Sequence, residues 1–353
     1  MKRQFVNLVL DNLKGGSFTI HRIKSSNLFH PKNQNGRPLP LTSLVEAKLP
    51  KPVCMLGLSI RKENGGEFMF TPFGSSRDKI LIADQDGIVQ INDICQKRLS
   101  NKPTLKEWNP YSVAITLGDD LYLMDRCPQV PDRFWPHQPC FQALIHGEPP
   151  TDVRGLPGWY WHSLPMPPYV ETSGYEPSCG SQIVSSTVVR DSIWVSATGG
   201  IGTYSFNKVS REWSKVGSWE LPFSGDAQYV PELDRWLGFS CGRDNQFLCA
   251  SDLSALAADG AVPTVCRVWD EDIATNPKNW ALLRSDLVCL GSGRFCISRE
   301  FHVYDSYPFL KENFAVFTGL ELQHSDTAED GIQVVKHKSI RYNFDGKLLQ
   351  LVC

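Results

Sequence analysis

The stretch GTYSFNKVSREWSKVGSWELPF, residues 202–223, decides the fold of this chain. It contains an aromatic-rich strand, a polar turn, and then Trp213 and Trp219, and a Gly-Gly pair at 199–200 stands just upstream. A second Gly-Gly pair at 15–16 also precedes a strand with aromatic positions. Recurrence of one pattern along a chain is typical of a structural repeat rather than of a single catalytic site.

Strand signals recur along the chain and helix signals are scarce. Apolar or β-branched runs alternate with Gly, Asp, Asn or Pro, the punctuation expected between strands. These runs are FVNLVL (5–10), SFTIHRI (17–23), KILIADQDGIVQIND (79–93), YSVAITLGDDLYLMD (111–125), SQIVSSTVVRDSIWVSATG (181–199), NFAVFTGLEL (313–322) and SIRYNFDGKLLQLV (339–352). The Asp-Gly pairs inside two of them suit tight hairpin turns. The sequence therefore predicts an all-β protein.

The order of strand, glycine, aromatic strand, polar turn and Trp is that of a kelch blade, which repeats about every 50 residues. Large flat side chains fill the wedge between blades, while glycine permits close approach near the axis. We therefore predict a single kelch-like β-propeller domain over residues 1–353, with about six blades. Strands from 5–23 and 339–352 are expected to share one blade and so close the ring without an open sheet edge.

Two stretches, at about 30–54 and 126–180, are rich in Pro and polar residues, and we interpret them as loop insertions in that domain. Prolines lower the entropy lost when a loop is ordered, and aromatic side chains provide large contact areas. The second insertion therefore supplies the candidate partner-binding residues, which are Phe134, Trp135, Trp159 and Tyr160. An alternative remains open, because WYWHSLP reads as a blade strand in which Trp159 and Trp161 share one face and one of them is packed.

Longer blocks of this sequence resemble a plant family of kelch-like proteins that is expanded in grasses and catalogued as a domain of unknown function. The resemblance spans nearly the whole chain. It is carried by FVNLVL, SFTIHRIKSSNLF, GTYSFNKVSREWSKVGSWELPFSGDAQYVPELDRWLGFS, LCASDLSAL, LGSGRFCISREF, FAVFTGLEL and VKHKSIRYNF. It implies a β-propeller and brings no activity or catalytic residue with it. Glu300, within ISREF, departs from the family pattern, in which an apolar or basic residue is usual.

Composition indicates a soluble protein of a reducing compartment. Hydrophobic residues make up 41% and charged residues 21% of the chain, and no apolar run reaches the length of about 20 residues that a membrane span needs. The eleven cysteines are scattered without a C-x-x-C pair, which favours buried free thiols over a disulfide framework. We therefore expect a cytoplasmic or nuclear protein that is not secreted.

The charge distribution argues against a nucleic-acid partner. Residues 1–62 contain eleven Lys or Arg and two acidic residues, although the net charge of the chain is −2. These basic residues stand singly between apolar ones, with no compact run, so a solvated face is the better interpretation.

Motifs for catalysis and metal binding are absent from the sequence. GSGRF (291–295) does not match a phosphate-binding loop, no G-x-S-x-G occurs, and the eight histidines include no H-x-x-x-H pair. We accordingly predict no catalytic residue, cofactor or metal. The first hypothesis is a noncatalytic, monomeric scaffold that binds a protein partner through loops on one face. The alternatives are an enzyme or small-molecule binder that uses the central channel, and a substrate adaptor for a ubiquitin ligase supplied in trans.

Overall fold

The computed structural model describes residues 3–353, apart from 14–15, 32–43, 57–66, 107, 110, 131–139, 152, 178–180, 242–246, 255–260, 270–279, 307–308, 326–330 and the side chains of 305, 306 and 309. Regular structure in the described part consists of strands and two short 3-10 helices, Ser25–Leu28 and Pro168–Glu171. No helix among these residues is long and apolar enough to cross a membrane.

Six antiparallel groups of four strands, named blades I to VI, follow one another along the chain, and parallel pairing of the innermost strands of blades IV and V joins these two blades into one eight-stranded sheet. Blade I contains β1 (Phe5–Asn12), β2 (Ser17–Lys24), β4 (Cys54–Leu56) and β25 (Leu348–Val352). Blade II contains β5 (Phe68–Phe73), β6 (Lys79–Asp84), β7 (Val89–Asp93) and β8 (Arg98–Lys102). Blade III contains β9 (Ser112–Leu117), β10 (Asp120–Asp125), β11 (Phe141–Gly147) and β12 (Gly158–Ser163).

Blades IV to VI repeat this up-and-down order. Blade IV contains β13 (Ile183–Val189), β14 (Ser192–Ala197), β15 (Gly202–Asn207) and β16 (Glu212–Gly217). Blade V contains β17 (Phe223–Val230), β18 (Arg235–Ser240), β19 (Leu248–Ser251) and β20 (Cys266–Trp269). Blade VI contains β21 (Trp280–Gly291), β22 (Arg294–Ser306), β23 (Phe309–His324) and β24 (Ile332–Asn343), and the short β3 (Val45–Ala47) adds in parallel to β24.

Each pair of neighbouring blades shares an apolar cluster of buried side chains. From junction I–II around to junction VI–I, representative pairs are Ile20 with Ile82, Leu81 with Leu123, Phe141 with Phe206, Trp194 with Phe223, Leu248 with Phe295, and Phe317 with Leu8. Because all six junctions are packed in this way, the ring is closed and the fold is a β-propeller. The prediction of about six blades is confirmed.

Ring closure is confirmed, with a correction to its boundaries. In blade I, β1 pairs with β2 on one side and with the C-terminal β25 on the other. The strand that contains residues 339–343 is β24, and it belongs to blade VI. The Asp-Gly turn between β24 and β25 is therefore a connection between blades and not a hairpin, with Asp345 at φ 52° and Gly346 at φ 76°.

The two predicted loop insertions contain strands. The 126–180 stretch includes β11 and β12, the outer strands of blade III, and the 30–54 stretch includes β3 and the start of β4. The loop interpretation was wrong for these segments for a physical reason. Side chains of β12 are half-buried along nearly its whole length, so the strand lacks the apolar-polar alternation that marks a one-sided sheet. The first two residues of β3 are exposed, which leaves no apolar alternation in this short strand.

The cysteines differ partly from the expectation of buried thiols. The ten described cysteines are free, and Cys179 lies outside the described residues. Cys140, Cys249, Cys296 and Cys353 are buried, whereas Cys95 and Cys241 are exposed. Burial raises the pKa of Cys140 and of Cys249 to about 12, which keeps both thiols protonated at neutral pH.

Candidate functional site

A cavity of about 1140 Å³ lies on the axis of the ring. The innermost strand of every blade contributes to its wall. These contributions are Val352 from blade I, Pro72 from II, Thr116 from III, Val188 from IV, Gln228 from V and Val288 from VI. The volume slightly exceeds the range of about 300–1,000 Å³ that is usual for small-ligand pockets.

The cavity opens at one end of the ring, which we call the mouth. In blades II, IV and V, its lining includes the turn that joins the innermost strand to the next strand: Ser75–Asp78, Arg190, and Pro231 with Glu232 and Asp234. In an up-and-down blade these turns all lie at the same end, because the innermost strands run in the same direction. The mouth is thus assembled from residues that are far apart in the sequence.

Apolar side chains form much of the cavity wall. Val188, Ala227, Leu287, Val288 and Val352 line it, and Phe5, Tyr229 and Trp236 add aromatic surface. The Trp236 Nε1 donates to the Val188 carbonyl oxygen at 2.8 Å, and the Tyr229 ring lies 4.7 Å from the Trp236 ring. An apolar interior with a few polar groups at its entrance is the usual character of a ligand-binding cavity.

One ion pair crosses the axis at the mouth. Arg77, in the β5–β6 turn of blade II, places Nη1 2.9 Å from Oδ2 of Asp226, on β17 of blade V. Blades II and V face each other across a six-bladed ring. Arg77 adopts a left-handed backbone conformation with φ 50°, which turns its side chain away from the ordinary strand direction. We call this pair the axial ion pair.

Three further arginines line the cavity: Arg3, Arg22 and Arg190. The Arg3 Nε donates to the Ser76 carbonyl oxygen at 3.1 Å, while Arg22 donates to the Asn7 Oδ1 at 3.1 Å. Burial lowers the pKa of Arg3, Cys353 opposes this change, and the nearby Arg77 guanidinium adds to it. Two guanidinium groups thus stand close together beside a cavity, an arrangement that an anion would stabilise.

The acidic residues described at the mouth form no salt bridge with these three arginines. Asp78 accepts from Ser76 Oγ at 2.6 Å, Asp234 accepts from the Tyr229 hydroxyl at 2.7 Å, and Glu232 is exposed. Among the residues that the structure describes, no carboxylate oxygen lies within 4 Å of a guanidinium nitrogen of Arg3, Arg22 or Arg190. Of the four arginines that line the cavity, Arg77 alone has a carboxylate partner among the described residues.

The four aromatic residues that the sequence suggested for partner binding do not line the cavity or lie outside the described residues. Phe134 and Trp135 lie outside the described residues. Trp159 packs 5.6 Å from the Phe73 ring of blade II, and Trp161 belongs to the same apolar cluster, so these two share one face of β12. The Tyr160 hydroxyl donates to the Leu156 carbonyl oxygen at 2.7 Å. Partner binding by Trp159 and Tyr160 stays a prediction, with Trp159 half-buried between blades.

The segment that holds Phe134 and Trp135 begins and ends away from the mouth. Strand β10 starts at the β9–β10 turn, where the Asp119 carboxylate accepts from the Ser75 backbone N–H of the mouth at 3.1 Å. The strand runs from there to Asp125, and β11 begins at Phe141. Residues 126 and 140 therefore lie at the opposite end of the ring from the cavity mouth.

Sequence reasoning missed the arginines of the mouth, because they stand at positions 3, 22, 77 and 190 without a shared motif. One signal was present in the sequence. Arg190 in VRDS lies at a polar turn signal within a predicted strand run, Arg77 in SSRD stands just before another run, and both adopt positive φ. A search for basic residues in equivalent hairpin turns of successive blades would have found them.

A second polar cluster lies at the junction of blades VI and I. The Arg284 Nε is 3.0 Å from Asp286 Oδ2 and 4.0 Å from Glu300 Oε2, and its Nη1 donates to the Gln350 carbonyl oxygen at 3.2 Å. The Glu300 side chain is only 7% exposed. Burial raises the pKa of Glu300 to about 7, with Arg284 opposing the rise and Asp286 adding to it. This acid therefore titrates near neutral pH.

Replacement of Glu300 by Gln should reduce the pH dependence of folding stability. The pKa of Glu300 is about 7 in the folded protein, and its ordinary value is 4.5, so stability falls as pH rises between these values. At about 1.4 kcal/mol per pH unit, the parent should lose about 3 kcal/mol more than Glu300→Gln between about pH 5 and pH 8. Urea unfolding at both pH values measures the difference. Glu212→Gln, at an exposed position, is the control, and equal losses in parent and Glu300→Gln would contradict the assignment.

Comparison with known proteins gives a family but no activity. A family model described as "Protein of unknown function (DUF1668)" matches residues 3–342. No curated protein matches the chain. Among solved structures, the β-propeller domain of Myceliophteria thermophila Cps50 (Swd1) is similar, with 11% identity, coverage of 93% of this chain and 96% of that chain, and a TM-score of 0.37. The fold assignment rests on the strand order and on the six packed junctions.

Proposed function

Because this chain belongs to the DUF1668 family of unknown function, we propose its function from its geometry: it is a noncatalytic, kelch-like propeller that binds a protein partner at the cavity mouth. The observation that carries this proposal is that Arg3, Arg22 and Arg190 line the cavity and have no carboxylate partner among the residues that the structure describes. The proposal also takes the protein to be a monomer of the cytoplasm or nucleus. A ligase adaptor is one form that such a binding protein takes.

The mouth has the residue types that dominate protein interfaces. Arginine, tyrosine and tryptophan are enriched among residues that contribute most to binding energy, and Arg190, Tyr229 and Trp236 all line this cavity. Arg190 is exposed in a tight hairpin turn, while Tyr229 is 44% exposed. Turns held on a closed ring lose little entropy when a partner binds, which favours affinity.

A charge reversal at Arg190 should release the partner while leaving the fold intact. Arg211→Glu is the matched control, since Arg190 and Arg211 lie in hairpin turns of the same blade, are both exposed, and have φ values of 56° and 58°. We expect Arg190→Glu to weaken binding at least about tenfold, or about 1.4 kcal/mol, and Arg211→Glu to change it little. The partner is first captured from a source extract with quantitative mass spectrometry, and its affinity is then measured with purified components.

The same measurement discriminates between the two ends of the ring. Trp135→Ala tests the sequence-based candidate, whose flanking strands meet at the opposite end of the ring, and it should leave the affinity unchanged if the partner binds at the mouth. Loss of binding in Trp135→Ala with full binding in Arg190→Glu would refute the proposed surface. Equal melting temperatures of the variants and the parent confirm that each change reports on binding.

A further inference from the structure

The axial ion pair joins two facing blades beside the cavity. Arg77 lines the cavity, and its Asp226 partner comes from the facing blade. Both side chains are partly exposed, at 26% for Arg77 and 36% for Asp226. An ion pair with this exposure contributes little to stability, so its opening costs little free energy. The pair can therefore exchange partners without disturbing the ring.

Arg3 has no carboxylate partner among the described residues when the axial ion pair is taken into account, although Asp78, Glu232 and Asp234 also line the mouth. Arg77 is neutralised by Asp226, whereas Arg3, close beside it, uses its guanidinium on a neutral carbonyl of Ser76. A guanidinium group binds a carboxylate through two parallel hydrogen bonds in a stronger, charge-assisted contact. Arg3 and Arg77 together thus offer more guanidinium N–H donors than the described carboxylates accept.

We propose that the cavity binds a carboxylate group carried on an apolar body, and that this carboxylate replaces Asp226 as the partner of Arg77. The apolar body lies against Val188, Leu287 and Val352, while Arg3 and Arg77 hold the carboxylate at the mouth. This inference rests on the proposed function only in placing binding at the mouth. The carboxylate comes either from a free small molecule or from an acidic side chain of a bound protein segment.

The probe for the first source is 4-phenylbutyrate, which carries one carboxylate on an apolar body. Its matched controls are 4-phenylbutylamine, with the opposite charge, and 4-phenyl-1-butanol, with none. Isothermal titration of the purified full chain at low ionic strength should show the carboxylate binding at least about tenfold more tightly than either control. Measurable binding of all three compounds with equal affinity would overturn the proposal, because only apolar contact would then contribute.

Substitutions in the axial ion pair give effects of opposite sign. Arg77→Gln should weaken 4-phenylbutyrate binding about tenfold, and Asp226→Asn should strengthen it severalfold because it frees Arg77 for the ligand. In the double variant the gain from Asp226→Asn should vanish, since Arg77 is then missing. Arg211→Gln, remote from the cavity, serves as the control. An Asp226→Asn protein that binds 4-phenylbutyrate no more tightly than the parent contradicts the exchange of partners.

A pair of peptides distinguishes the two sources of the carboxylate. The acidic peptide Ac-FELDFE-amide is compared with the neutral Ac-FQLNFQ-amide under the same conditions. Preference for the acidic peptide without binding of 4-phenylbutyrate assigns the site to a protein segment, and the reverse assigns it to a free molecule. If neither anionic probe is preferred, the inference fails. These titrations contain no partner protein, so their failure leaves the partner test with Arg190→Glu standing, and failure of that test leaves the titrations standing.

Discussion

Removal of residues 345–353 should leave a chain that cannot form the ring and is not recovered as soluble protein. This truncation deletes β25, the innermost strand of blade I, in which Leu349 and Val352 are buried. It also deletes the paired backbone hydrogen bonds between Asn7 and Cys353, at 2.6 and 3.0 Å. The edge of β1 would then be open to pairing with other chains, and the junctions with blades II and VI would lose buried surface. Soluble yield and circular dichroism measure the effect.

A circular permutant tests whether folding requires strand β25 itself or requires β25 to follow β24 in the chain. Moving residues 345–353 to a position before Arg3, through a short glycine linker, makes β25 and β1 an ordinary hairpin of blade I, because the two strands are antiparallel neighbours. The permutant should fold with a melting temperature within a few degrees of the parent. A well-folded truncation, or a permutant that fails to fold, would show that closure by β25 is not what stabilises the ring.

Replacement of Trp213 by Ala should destabilise the protein by about 3 kcal/mol, the lower part of the range for Trp truncation in a core. Trp213 lies on β16 and joins two blades, since its ring is 5.2 Å from the Phe206 ring of blade IV and 5.5 Å from the Phe141 ring of blade III. Its Nε1 also donates to the Pro165 carbonyl oxygen at 2.8 Å. The side chain is half-buried, which places the loss at the lower end. Urea unfolding at constant pH measures it.

Trp213→Phe is the matched control for this prediction. It keeps an aromatic ring against Phe141 and Phe206 and removes the hydrogen bond to Pro165, so we expect a loss of about 1 kcal/mol. The order parent, Trp213→Phe, Trp213→Ala in decreasing stability would confirm that ring packing is the larger contribution. A Trp213→Ala protein as stable as the parent would mean that junction III–IV does not depend on this residue.

Several elements of the fold follow from local pattern alone. The turn glycines at 199–200 and the aromatic strand after them predict a blade, and blade IV forms from that stretch. Pairing of the first and last strands was predictable because an open sheet edge is unfavourable wherever it lies. The boundary at residue 344 was not predictable, since an Asp-Gly turn has the same sequence whether it joins strands of one blade or of two.

The local sequence pattern did not predict all of the outer strands of the blades. Strand β12 was recognisable only through WYWHSLP, because its half-buried residues show no alternation and prolines surround it. The alternation of Trp159 and Trp161 on one face was correct, and both contribute to the cluster at junction II–III. Which face of an outer strand meets the next blade depends on the twist and position of that neighbour, and neither is written in the strand itself.

The sequence by itself determined the strands, the repeat and the closed ring, because alternation, turn residues and edge avoidance act over a few neighbouring residues or on the ends of the chain. Only the tertiary structure decided the site. Arg77 and Arg190 lie at one mouth because the ring places equivalent turns of different blades around a single axis, and Arg3 joins them from the segment just before β1. Asp226 reaches Arg77 because blades II and V face each other. Such convergence is a property of the closed ring, and no spacing along the chain encodes it.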